Sequence, residues 1–448
     1  MAIRVVVEAE NAGYAITYPD VFANPTPRGL ASLCETEGDS PVEDAADEHD
    51  AEIEDFDYSA IEEVLAANNL RSFIDGQRRP LGNLFLTGAA GYLGIHILHE
   101  FLERHSGIAY CLLRGRTDIS AEQRLKHQLF YYFERNYAEL FGSRIIVVEG
   151  DVTAELPITD DMHIDTVVNC AAVVKHFSQG TEIEDVNVGG VENLVKFCLG
   201  RNVPLIQIST GSTMKCPLKP GATVVGKTTE RQLYVGQDLE NKYVRSKFLA
   251  ERLVLDAIAT RGLAAKIMRV GNLAPRTSDG QIQINYGTNS AMGRLKSFSM
   301  LGCAPFDQLD ATMEFSPIDE TARAILLLAQ APERCVVFHS FNHHRVLYAD
   351  VFEAMRAAGL PVSPVEREEF GAVLHAAEED PDKARVLTSM LAYGRKSNGM
   401  PVITPVAGND YTMQVLYRLG FSWNQTSNAY IEQFLEALEG MGFFDLEG

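Results

Sequence analysis

Two residues of "NKYVRSKFLAERL", Tyr243 and Lys247, stand four apart, a spacing that puts them on one face of a helix. Hydride transfer to a carbonyl needs a proton donor and something to polarise the oxygen. A free phenol has a pKa of about 10 and is a poor acid at neutral pH, but an ammonium one helical turn away stabilises the phenolate and lowers that value. The lysine could also hold a nicotinamide ribose. A third group, a Ser or Thr hydroxyl at the end of a preceding strand, would bind the developing oxyanion. "PLIQISTGSTM" offers Ser209 and Thr210, the latter 33 residues before Tyr243. Taken alone, the pair reads first as a surface Tyr and Lys that happen to be neighbours, and strand-end hydroxyls often only cap turns. The surrounding elements decide.

"LFLTGAAGYLGIHIL" places Gly88, Gly91 and Gly94 as G-x-x-G-x-x-G, after an apolar strand and at the opening of a helix. Glycines there allow a tight turn, close approach of a pyrophosphate and close helix–strand packing. Thr87, Gly88, Gly91, Tyr92, Leu93 and Gly94 are the expected cradle. The next strand ends in "LLRGR", with Arg114 20 residues after Gly94 and Arg116 close by. An acidic residue would suit a ribose 2′-OH, whereas a guanidinium suits a 2′-phosphate, so the expected cofactor is NADPH. Arg124 is read either as a second phosphate contact or as a solvated helix residue. Asp151 and Val152, after "VVEG", fall where a strand end would meet the adenine.

These motifs sit in a repeating pattern of strand, glycine turn and helix from Asn83 onward: "LFLTG", "IAYCLLRG", "RIIVVEGD", "DTVVNCAA" and "PLIQIST" alternate with helical stretches. Such alternation predicts an α/β fold, a doubly wound, Rossmann-like parallel sheet with helices on both faces. Beyond about Pro275 the rhythm loosens into helices and loops, which predicts a smaller, mostly helical substrate-binding part over 276–448. The dinucleotide-binding unit is expected over 58–275, led by the amphipathic helix "YSAIEEVLAANNL".

The whole-chain numbers exclude several function classes. The 448 residues carry a net charge of −22, which disfavours nucleic acid as a partner. No apolar run is long enough to span a membrane and no signal peptide is visible. Seven cysteines without C-x-x-C spacing argue for a reduced, cytoplasmic protein and against a zinc site. Adjacent His343 and His344 diverge and suggest no metal site. A monomer is the default expectation. Residues 35–57 hold 12 acidic residues and no Lys or Arg, and read as a flexible linker. Before it, residues 1–34 read as two short helices around a turn at Asn11-Ala12-Gly13.

The motifs "LTGAAGYLG", "NCAA", "NVGGVENL", "IST" and "YVRSK", in this order, resemble the extended short-chain dehydrogenase/reductase superfamily. By that likeness Thr210 is the catalytic hydroxyl beside Tyr243 and Lys247, with Ser209 and Ser212 as neighbours still open, and Asn187 and Asn272 are landmarks near the active site. Val270 replaces the family's usual proline. Further stretches, "CLLRGRTDISAEQRL", "LYVGQDLENKYVRSKFLAERLVL", "MRVGNLAPRTSDGQIQIN" and "GFSWNQTSNAYIEQFLEALEGMGFF", resemble the terminal thioester reductase domains of nonribosomal peptide synthetases from about residue 58 to the end. Residues 1–34 are similar to the second half of a peptidyl carrier domain, with the chain starting after the position of the phosphopantetheine-bearing serine.

The resemblance implies NADPH-dependent reduction of a peptidyl or acyl thioester, carried on the phosphopantetheine of a carrier domain, to an aldehyde or onward to an alcohol. Residues 213–241 would form a loop over the substrate channel. Lys175, His176 and Phe177 either line the pocket or make a plain surface turn; with Ser212 and Asn272, Lys175 is a candidate substrate contact. The competing enzyme reading is an extended reductase or epimerase acting on a nucleotide sugar or another free small molecule. A rival of another class is a redox-silent NADPH-sensing module, which would not need a proton donor.

Overall fold

The computed structural model of the chain describes residues 21, 26–35, 52–115, 118–174, 181–285, 289–378, 380, 383, 386–387 and 404–445. Lys175, His176, Phe177 and Arg116, most of the carrier-like segment and most of the acidic stretch lie outside them.

Seven parallel strands form the main sheet. They are β1 (Leu84–Thr87), β2 (Ala109–Leu113), β3 (Ile145–Glu149), β4 (Thr166–Asn169), β5 (Leu205–Thr210), β6 (Ala265–Val270) and β7 (Val337–Phe338). Their order across the sheet is β7-β6-β5-β4-β1-β2-β3, every neighbouring pair parallel. The chain starts in the middle, runs outward through β2 and β3, and returns to the other side at β4. The crevice at the carboxyl ends of β1 and β4 is therefore the topological switch point, where open α/β sheets bind ligands.

Six helices matter for the site: α1 (Ser59–Ala67), α2 (Tyr92–Arg104), α3 (Ala121–Phe133), α4 (Gly190–Arg201), α5 (Lys242–Arg261) and α6 (Ile318–Ala329). The strands are buried on both faces, which is why they read as near-continuous apolar runs. In β1, Leu84 and Leu86 join a core with α2, α3 and α6, while Phe85 points into the opposite core with α1, α4 and α5. A third core gathers residues between Ala274 and Phe443, built on the helices Ser290–Leu301, Tyr348–Ala357 and Asn428–Gly440.

Two sequence boundaries need correction. The sheet takes α6 and its edge strand β7 from beyond residue 275, so the chain crosses back into the dinucleotide-binding layer after entering the third core. The apolar runs "AILLLA" and "VVF" are short and lie among polar loops, which hid them. The acidic stretch is not wholly linker either: residues 52–57 pack on the body. Ile53 is buried, Glu52 pairs with Arg252 and Glu54 with Lys219, and Tyr58 just after them stacks on Tyr234 with ring centroids 5.6 Å apart. Their acidic side chains find basic partners, and two apolar residues give them something to bury.

Candidate active site

The glycine loop is forced by its neighbours. Gly88 has φ +67°, and a Cβ there would lie 2.7 Å from the Ala171 nitrogen and the Cys170 carbonyl carbon at the end of β4. Only glycine takes that conformation at no steric cost. A Cβ on Gly94 would collide with the Gly88 carbonyl, so α2 packs tightly on the turn. The Gly91 nitrogen closes the turn on the Gly88 oxygen at 2.9 Å, leaving the first amides of α2, at Tyr92 and Leu93, directed at the crevice as donors for an anion. This cradle fits a pyrophosphate.

Beneath it runs a buried polar chain across three strands. The Thr87 hydroxyl donates to Asn169. The Asn169 amide donates to Gln207 at 2.9 Å, and Gln207 donates to the Ile208 carbonyl at 2.9 Å. Every member is satisfied, so the chain stiffens the carboxyl ends of β1, β4 and β5 rather than costing stability. Thr87 thus supports the loop from below.

At the outer edge, Arg114 follows β2 directly and is largely exposed. The Arg124 guanidinium reaches the Arg114 carbonyl at 3.4 Å, and Asp151 lies 3.9 Å from the Arg114 guanidinium. The structure brings these three together at the ends of β2 and β3. Asp151 also accepts from the amide and hydroxyl of Thr153, both at 2.9 Å. Val152 is buried against Gly190. Tyr92 departs from expectation. Its phenol turns away from the loop and donates to the Ala274 carbonyl at 3.1 Å, so only its backbone faces a ligand; burial pushes that phenol well above its usual range.

The candidate residues Thr210, Tyr243 and Lys247 lie on two elements in contact, β5 and α5. Lys247 is almost fully buried and donates to the Ile208 carbonyl at 3.0 Å. Burial pushes its ammonium down to about 8, opposed by Cys170 and Glu251. Tyr243 sits in the first turn of α5, capped by the Asn241 side chain, which accepts from the Val244 nitrogen at 3.1 Å. One turn separates Tyr243 from Lys247, which puts them on the same side of α5, with Tyr243 half-buried. The Thr210 hydroxyl accepts from the Ser212 nitrogen at 3.2 Å and ends the same strand.

Ser209 has a different job. Its hydroxyl points toward α5 and donates to Glu251, one turn beyond Lys247. Glu251 is wholly buried and is bound by Arg269 through Nη2 at 2.7 Å and Nε at 3.0 Å. The Ser209 hydroxyl is thus engaged with a buried carboxylate. Ser212 contributes its backbone nitrogen to Thr210.

Asn187 joins two elements of the candidate site. It lies in a π-helical turn, Asp185–Gly189, a feature frequent at functional sites. Its side chain accepts from the Val173 nitrogen at 2.8 Å and donates to the Val173 carbonyl at 3.0 Å and to the Ser246 hydroxyl at 2.9 Å. It therefore ties the loop after β4 to the helix bearing Tyr243 and Lys247. Asn272, at the end of β6, is exposed and leans on Glu314, its nitrogen 3.2 Å from Oε1. The 213–241 segment is not an open loop: buried Gln237 bonds the Thr213 carbonyl at 3.0 Å and the Leu233 carbonyl at 2.7 Å. Sequence reading missed Glu251, Arg269, Lys215 and Glu314, because their partners come from distant stretches.

A switch-point crevice with this loop matches a known family. The family model described as the male sterility protein, an NAD-binding family, covers residues 86–325, from β1 through most of α6. The chain belongs to this family. Among solved structures it is similar to a thiolation-reductase di-domain from an archaeal non-ribosomal peptide synthetase, at 36% identity and TM-score 0.87, covering 99% of this chain and 91% of that one. Among curated proteins it is 25% identical to an isonitrile lipopeptide synthase of Streptomyces coeruleorubidus over 62% of this chain and 19% of that protein. It is 27% identical to a carboxylic acid reductase of Mycobacterium tuberculosis over 58% of this chain and 24% of that protein. The chain thus spans about a fifth to a quarter of the length of these curated relatives. The chain therefore carries a Rossmann-like, nicotinamide-cofactor-binding fold. Among the described residues no helix is long and apolar enough to cross a membrane.

Proposed function

We propose that this chain is an NADPH-dependent thioester reductase that releases a carrier-bound peptidyl or acyl group as an aldehyde. The observation that carries the reading is the meeting of the Tyr243–Lys247 helix with the end of β5: Lys247 is pinned to Ile208, two residues before Thr210. On this reading proton donor, ammonium and hydroxyl act together at the carboxyl ends of the strands, the end of the sheet that also bears the glycine loop.

Thr87, Gly88, Gly91, Gly94 and the first amides of α2 would hold the pyrophosphate, Arg114 and Arg124 a 2′-phosphate, and Asp151 and Val152 the adenosine end. When bound, the dinucleotide supplies the hydride. Thr210 donates a hydrogen bond to the thioester oxygen and stabilises the charge that develops there. Tyr243 donates its proton to that oxygen, and the Lys247 ammonium stabilises the resulting phenolate. Asn187 and Ser246 keep the helix in register. Loss of the thiol from the reduced carbon then leaves an aldehyde and a free carrier thiol.

The similarity to a thiolation-reductase di-domain, extending over nearly the whole chain, supports a phosphopantetheinylated carrier as the partner and residues 1–34 as a carrier remnant. It also supports a substrate-binding role for the third core. A nucleotide-sugar reading lacks the acidic residue at the end of β2 that a ribose 2′-OH would want. Mass spectrometry of the products from a carrier-bound peptide thioester plus NADPH tests the proposal. An aldehyde or alcohol is the expected product. Recovery of unchanged thioester with no NADPH consumed would refute it.

A further inference from the structure

Five residues past Thr210, the short helical turn Ser212–Lys215 returns a lysine toward the end of β5. A Cβ placed on Gly211 would lie 3.3 Å from the Lys215 ammonium, so this charge stands beside the residue that follows the proposed oxyanion hydroxyl. Its Nζ is 3.1 Å from Glu314 Oε2 and 4.0 Å from the centre of the Phe341 ring. Both Glu314 and Phe341 are buried, yet the lysine side chain keeps 27% of its surface exposed. Glu314 is fully engaged: it also accepts from the Asn272 nitrogen at 3.2 Å and from the Ser316 hydroxyl. A side chain at Gly271 would collide with this carboxylate, so the end of β6 makes room for the pair. An ammonium has three donors, and among the described residues Glu314 is the hydrogen-bond acceptor for one of them. The lysine thus combines one buried acceptor with a partly exposed side chain.

We propose that Lys215 determines specificity by hydrogen-bonding the amide carbonyl that precedes the thioester in an aminoacyl or peptidyl substrate. This rests on the thioester-reductase reading. Successive residues of an extended chain repeat every ~3.3–3.6 Å, the scale of the step from Thr210 to Gly211. With the thioester oxygen at Thr210, the preceding amide oxygen falls toward Lys215. Glu314 offsets the lysine's charge, so the pair offers N–H donors with little net charge and suits a neutral carbonyl better than a carboxylate or phosphate. A plain acyl chain has nothing to accept that bond and would leave it unused.

The test compares an N-acetylaminoacyl pantetheine thioester with a hexanoyl pantetheine thioester in the full chain and in Lys215→Met. A charge-assisted hydrogen bond predicts a KM about tenfold to hundredfold higher for the aminoacyl substrate, with kcat little changed and the hexanoyl constants unmoved. Calorimetric titration with a non-reducible amide analogue of the aminoacyl thioester should show the same loss of affinity without any turnover. Because Lys215→Met strands a buried carboxylate, Lys215→Met/Glu314→Gln is run beside it and should lose the same discrimination. A fall in kcat shared by both thioesters, or equal affinity of parent and double variant for the analogue, overturns the proposal. A parent that binds the analogue but reduces neither thioester refutes the reductase reading instead, and the titration then decides Lys215 by itself.

Discussion

Glu251 stands one helical turn beyond Lys247 on the buried face of α5, and the two share the task of placing charge under the end of β5. Lys247 reaches the strand directly through the Ile208 carbonyl. Glu251 is held by Arg269 and receives the Ser209 hydroxyl. Arg269 in turn bonds the Gln232 carbonyl at 2.9 Å and lies 3.1 Å from His339. The catalytic helix is thereby fastened to β5, to β6 and to the 213–241 segment through one buried ion pair.

The first prediction concerns pH. Burial pushes Lys247 from an ordinary value of 10.5 down to about 8, with Cys170 and Glu251 raising it. If the ammonium supports the phenolate, kcat should fall as pH rises through about 8. Glu251→Gln removes one of the groups that raise the value, so the alkaline midpoint should move to lower pH. An unchanged midpoint in that variant would count against the coupling. For stability the sign is the reverse. Between about 8 and 10.5 the unfolded chain binds more protons at this lysine than the folded one, so its contribution to stability rises with pH across that window. Lys266, also buried and brought to about 8, adds in the same direction.

Cutting the buried pair should be costly. Glu251→Ala leaves Arg269 charged, buried and without its carboxylate, and is expected to destabilise the fold by about 3–5 kcal/mol. Glu251→Leu combined with Arg269→Met removes both charges and should recover much of that loss. Urea unfolding of the three proteins measures it. Additive losses in the double variant would mean that the two side chains do not act as a pair.

Much of this site was legible in the sequence, for a physical reason. The glycine loop, Thr210 and the Tyr243–Lys247 pair act through local spacing on one strand end or one helix, and their periodicity is printed in the chain. The parallel, doubly wound sheet followed from alternation, and the β2-terminal arginine from its place after "CLL". What could not be read depends on residues far apart in sequence. Ser209 and Thr210 are adjacent and chemically alike, and only the pleat and Glu251, 42 residues away, separate their roles. Lys215 looked like part of a covering loop because its partner Glu314 lies 99 residues on. Tyr92 occupies the cradle in sequence while its phenol serves the Ala274 carbonyl, 182 residues away. The strand β7 has two residues, too few for any period to register.

Cofactor choice is tested at the edge of the sheet. Arg114 and Arg124 meet at the end of β2, and Arg114 is largely exposed. Arg114→Ala should raise KM for NADPH by about tenfold to hundredfold, the worth of a charge-assisted bond, and leave KM for NADH nearly unchanged. Arg124→Ala should do the same more weakly. Steady-state kinetics with both dinucleotides decides it; a parent that uses NADH and NADPH equally would remove the 2′-phosphate from the argument.

The proton donor gives the sharpest test. Tyr243→Phe deletes one oxygen from the first turn of α5 and leaves the Asn241 cap, the Lys247 contact and the glycine loop in place. General acid catalysis contributes about 10²–10⁴-fold, so NADPH oxidation with an acyl-pantetheine thioester should fall by at least about 100-fold. The affinity for NADPH, followed by nucleotide fluorescence, should stay within about twofold, because the pyrophosphate cradle and Arg114 are untouched. Lys247→Met should differ: it removes both the ammonium that stabilises the phenolate and a group placed to hold the ribose, so turnover and cofactor affinity should fall together. Retention of full activity in Tyr243→Phe would assign the proton to another group and leave the Tyr243–Lys247 spacing as helix geometry alone.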